Sequence, residues 1–74
     1  MSTYRERFIN REPKLSQQDK LFLIWIDEVE SIVFKQTGFG LMDISDMPYY
    51  TSFEDGVSPK TMAKYTVDNL YSMN

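Results

Sequence analysis

The sequence predicts an all-α protein, and three observations carry that reading. From Ser16 to Thr37 runs a capped stretch of about twenty residues, free of proline and glycine, whose apolar side chains recur at three- and four-residue spacing. A break at Gly56 is followed at once by Ser58-Pro59, a pair suited to restarting a helix. No segment alternates apolar and polar residues as a half-buried strand would.

Residues 1–15 read as an N-terminal arm and residues 16–74 as a single small helical domain. The arm can form a short helix near residues 3–10, with Phe8 and Ile9 as its inward plugs. The long helix is expected over residues 17–36. Ser16 supplies an N-cap hydroxyl, and Asp19, three residues on, faces the positive end of the helix dipole as in a capping box. Gly38 ends the helix because glycine accepts the left-handed C-cap conformation. Phe22, Trp25, Ile26, Val29, Ile32 and Val33 form one broad apolar stripe. Leu21, Leu23 and Ile24 fall outside it or at its edge, and Phe34 lies near Leu23 on the next side. Such a helix needs cover on more than one side. Either the arm folds back over it or a second copy packs against it, and the two are compatible.

Phe39 to Ser45 forms a connection in which two glycines bracket Phe39. Asp46-Met47-Pro48-Tyr49 then marks a second helix start, with Pro48 in the first turn and Met47 or Asp46 at the boundary. This short helix passes through Tyr50 and Phe53 and stops at Gly56. The last helix is expected over residues 59–71, with Ser58 as N-cap and Met62, Ala63, Thr66, Val67 and Leu70 as its inner stripe. The short and medium helices should form an αα-hairpin against the long one.

Composition narrows the function. A chain of 74 residues buries only about 60–65% of the surface its unfolded form exposes, so it needs extra support. It has no cysteine and no histidine, which removes disulfides, the usual zinc sites and every Ser-His or Cys-His couple. Oligomerisation or a partner remains. Net charge is -3, but the first fifteen residues carry four cations against two acids, so an arm of +2 precedes a body of -5. That body would repel phosphate, which argues against nucleic acid. The opening residues show no apolar leader, and the longest apolar run, residues 21–26, is far short of the ~20 needed to cross a bilayer. A cytoplasmic protein without a membrane partner is the expectation.

Several residues together carry a resemblance. Trp25, Val29-Glu30 and Val33, then Thr37-Gly38, Asp43-Ile44, Asp46-Met47-Pro48-Tyr49, and Phe53-Glu54-Asp55-Gly56-Val57-Ser58-Pro59 with Met62-Ala63 resemble a widespread group of short phage and bacterial proteins. The pattern spans roughly residues 25–70. It departs at Tyr49, where the group usually has a second acid after the proline. The resemblance implies a phage or mobile-element origin, hence a host cytoplasm as the place of action, and it assigns no reaction.

Candidate sites are few. Asp43 and Asp46 sit three apart, and Glu54-Asp55 precede a glycine; such acids can hold Mg²⁺ or move protons. Their ordinary roles are stronger here: accepting backbone N–H groups, solvation, or pairing with Lys60. No catalytic, cofactor-binding or metal-binding residue is expected, nor an enzyme. The Gly56 turn between two helices partly resembles a helix-turn-helix, with Lys60, Lys64 and Asn69 on the second helix, which makes a DNA-binding accessory protein the alternative. Eleven residues are aromatic, five of them tyrosines, and tyrosine suits wet interface rims. The sequence therefore points to action by protein–protein contact on a host factor, as a homodimer. Leu21, Leu23, Ile24 and Phe34 are the self-association candidates, and Tyr49, Tyr50 and Phe53 the partner-binding ones. Met42, Met47, Met62 and Met73 are gap fillers or adaptable contacts.

Overall fold

The long helix is the spine on which every other element lies. In the computed structural model, which describes residues 3–44 and 47–72, five elements follow one another: α1 (Tyr4–Arg11), α2 (Gln17–Thr37), a single 3-10 turn (Leu41–Asp43), α3 (Tyr49–Glu54) and α4 (Pro59–Ser72). All are helical, as the sequence predicts. Ser45, Asp46 and Met73 lie outside the described residues, and with them the Asp46 carboxylate and half of the expected second helix boundary.

Local chemistry sets the ends of α2. The Ser16 hydroxyl accepts the Asp19 backbone N–H at 3.1 Å, and the Asp19 carboxylate accepts the Ser16 N–H at 3.1 Å, completing the capping box. At the other end Gly38 has φ 78, and its N–H donates to the Phe34 carbonyl at 2.8 Å. The Thr37 hydroxyl donates to the Val33 carbonyl (2.8 Å) and accepts the Phe39 N–H (3.0 Å). The Thr-Gly pair thus closes the helix through both its side chain and its backbone.

Pro48 stands one position earlier in its helix than expected. Its ψ of 66 is non-helical, so it caps α3 instead of joining it, and its carbonyl accepts the Ser52 N–H at 3.0 Å. The Ser58 hydroxyl accepts the Thr61 N–H at 3.2 Å and opens α4.

The core forms where α1, α3 and α4 meet α2. Phe22, Ile26, Val29 and Val33 are fully buried along the predicted stripe, and Met62, Ala63 and Thr66 of α4 lie against it. Thr66 satisfies its hydroxyl by donating to the Met62 carbonyl at 3.0 Å. Around Phe22 gather the rings of Phe8, Trp25, Tyr50 and Phe53, with centroids 4.7 to 5.9 Å away, and Tyr4 at 6.2 Å. Trp25 also donates its indole N–H to the Val57 carbonyl at 2.8 Å, which pins the α3–α4 turn to the spine.

The arm belongs to this core. Tyr4 and Phe8 of α1 enter the ring cluster, and Arg5 forms an ion pair with Asp27 of α2. Only one of the two expected plugs is inside: Phe8 is buried, whereas Ile9, on the next side of the helix, is exposed.

Candidate functional site

The seven contact candidates separate into three environments. Leu23 is 3% exposed and belongs to the core, so it leaves the self-association set. The reason is a contact between distant parts of the chain. Asp27, one turn further along α2, pairs with Arg5, which sets α1 against this flank, and Leu23 joins the core cluster together with Phe8 of α1. Leu21 (51%), Ile24 (67%) and Phe34 (56%) are out in solvent.

Of the partner-binding candidates, Tyr49 is also withdrawn: it is 2% exposed, and its ring meets that of Tyr4 at 5.3 Å in an edge-on contact. Tyr4 of α1 packs on the start of α3, on the side where Tyr49 lies. Tyr50 and Phe53 are half-buried. Tyr50 donates its hydroxyl to Asp19 at 2.8 Å. The Ser16 backbone N–H, and then this hydroxyl, hold the Asp19 carboxyl below its ordinary value; burial and the hydrogen bond to Asp19 push the Tyr50 phenol up. These aromatics join α3 to the start of α2, and they offer a partner only their outer edges.

Phe34 does not extend the Leu21–Ile24 surface. Ten residues separate Ile24 from Phe34, a rise of about 15 Å. Phe34 instead lines an open groove of about 930 Å³ between α1, the second half of α2 and the 3-10 turn. Met42 adds a second apolar side chain there, Arg7 and Lys35 bring cations, and Asn10 and Ser31 bring neutral polar groups. Of its acids, Asp27 is paired with Arg5, and Glu30 accepts the Leu41 N–H at 2.8 Å. That bond ties the 3-10 turn to α2 beside the groove. A Cβ added to Gly40 would stand 3.1 Å from the Glu30 carboxylate, so glycine lets the connection approach this closely. The groove has the size and mixed lining of a recognition site: two apolar side chains among charges of both signs.

Sequence reasoning placed Phe34 correctly on the surface but missed Arg7, Asn10, Glu30 and the groove they share. One signal was present. Glu30 lies one turn from both Ile26 and Val33, two core residues, so an acid there calls for a specific partner.

Of the acids weighed as candidates, Asp46 lies outside the described residues and Asp43, Glu54 and Asp55 are exposed. The Asp43 N–H donates to the Gly40 carbonyl, while Glu54 accepts Gln18 Nε2 at 3.3 Å. Among the described residues no group of three or more acids could hold a metal ion, and no helix is long and apolar enough to cross a membrane. On α4, Lys60, Lys64, Tyr65 and Tyr71 are exposed. Compared with known proteins, the chain matches no family model, no curated protein and no solved structure.

Proposed function

We propose that this is a small phage-type protein that acts by protein–protein contact in the host cytoplasm, modulating or inhibiting a host factor such as a defence or nucleic-acid-processing machine. The observation that carries the contact reading is the exposure of large apolar side chains at two separate places on one helix, Leu21 with Ile24 and, further along, Phe34. The phage assignment rests on the residue pattern from Trp25 to Ala63. In this reading the Leu21–Ile24 surface pairs two copies, and the Phe34 groove receives the host protein.

Photo-crosslinking tests the groove. A photoreactive side chain at position 34, in bacterial extract, should give one discrete adduct that a reactive group at Gln36 does not give. Excess unlabelled protein should suppress the adduct, and the Phe34→Glu variant should not. An adduct pattern identical at both positions would end the reading.

One observation favours a second role. Lys60 and Lys64 are exposed one turn apart on α4, as a DNA-reading helix would require. Asp68, four residues on, is also exposed and opposes them. Retention on duplex DNA at low salt, lost steeply as salt rises, would install that role in place of host-protein contact.

A further inference from the structure

We infer that α2 pairs with α2 of a second copy of this chain, antiparallel, in one register: Ile24 against Ile24, with each Lys20 beside the second copy's Glu28. This rests on the reading that the Leu21–Ile24 surface joins copies, and adds to it the partner and the alignment.

Lys20, Ile24 and Glu28 are four residues apart and form one ridge along the exposed side of α2. Ile24, in the middle, is the most exposed of the large apolar side chains among the described residues, and Leu21 stands beside it. A two-fold axis at Ile24 turns the ridge end for end, so a residue four before the centre meets one four after it. The residue four before is a cation and the residue four after is an anion. The surface is therefore complementary to itself, and only in the antiparallel sense; a parallel pairing would set lysine against lysine.

Packing of one i±4 ridge beside another is the commonest way for two helices to meet, and at that crossing the ridges run side by side. Neither charge is already committed: among the described residues the ion pair of α2 is Asp27 with Arg5, and Lys20 and Glu28 have none. Asp27, the residue before Glu28, has its charge offset by Arg5, so the charge that Lys20 meets on the second copy is that of Glu28. Leu21, three residues before Ile24, is placed to cover the aliphatic stem of the opposing Glu28. Two crossed helix faces bury less than the ~1,200 Å² of a standard interface, so the pairing is concentration-dependent.

The test is charge exchange, read by sedimentation equilibrium from about 10 μM to about 1 mM, a span that covers contacts of this strength. Wild-type protein should dimerise within it. Lys20→Glu and Glu28→Lys should each weaken the homodimer by about tenfold or more, because symmetry repeats the clash. The double variant should return to within about threefold of wild type. The decisive sample is an equimolar mixture of the two single variants: every pair across the heterodimer is then opposite in sign, and it should associate where neither variant alone does. Circular dichroism checks that each variant keeps its helices. If the wild type dimerises and the mixture does not, the register is wrong while copy pairing stands. A monomer throughout the range removes both, and leaves the Phe34 groove to its own crosslinking test.

Discussion

Phe22 and Ile24 are two residues apart on one helix and opposite in environment, so truncating each in turn weighs the core against the surface. Phe22 is fully buried, with five aromatic rings within 6.2 Å. Removing a buried phenylalanine side chain costs about 3–5 kcal/mol, from lost burial and the cavity left behind. A domain of this length has roughly 4–11 kcal/mol of stability in all, so Phe22→Ala should bring the chain close to unfolding at room temperature. Phe22→Leu, which keeps most of the volume, should cost about 1–2 kcal/mol and remain measurable. Ile24→Ala should change stability by less than about 0.5 kcal/mol in dilute protein. Urea titration reads all three by helix signal and by the emission of Trp25, the sole tryptophan, which is buried in the folded state. The reasoning is refuted if Phe22→Leu is neutral, or if Ile24→Ala costs as much as a core truncation when the protein is too dilute to associate.

Three further outcomes follow from particular contacts. Trp25→Phe leaves the Val57 carbonyl without its 2.8 Å donor and should cost about 1–2 kcal/mol by thermal unfolding, loosening the α3–α4 turn before the rest in hydrogen exchange. Gly38→Ala forces a side chain into φ 78, with nothing within 4 Å to clash; a melting experiment should show a loss of about 1 kcal/mol from backbone strain alone. The folded-state pKa of Asp19 is lowered, so its contribution is present above the ordinary aspartate value, about 3.9, and disappears as pH falls through the folded value. Stability measured against pH should show that acid loss in wild type and a shallower one in Asp19→Asn. The raised Tyr50 has the opposite sense, its contribution being full below the ordinary tyrosine value near 10 and lost as pH rises through the higher folded value.

The fold was legible because its determinants are local. Ser16, Asp19, Gly38, Ser58 and Pro59 act within a few residues of themselves, and they fixed where α2 and α4 begin and where α2 ends. Pro48 was misplaced by one position because its preset φ suits both the N-cap and the first turn, and its ψ, set by how α3 meets the core, decides between them. The contact residues were only partly legible. Periodicity marked Leu21, Leu23, Ile24 and Phe34 as surplus to the stripe, but which of them α1 would cover depends on the Arg5–Asp27 pair, a contact across 22 positions. Tyr49 was misjudged for a related reason: in a helix of six residues, periodicity is too short to assign a face. The groove was invisible, since Arg7, Phe34 and Met42 converge only once α1 and the 3-10 turn have docked.

The claim that matters most is that the exposed side of α2 around Ile24 is a protein-contact surface. Translational diffusion measured by NMR over a dilution series addresses it directly, with Ile24→Glu run in parallel. The account predicts slower diffusion at high concentration for the wild type and concentration-independent, monomeric diffusion for the variant. Matching diffusion of the two proteins at every concentration would contradict it.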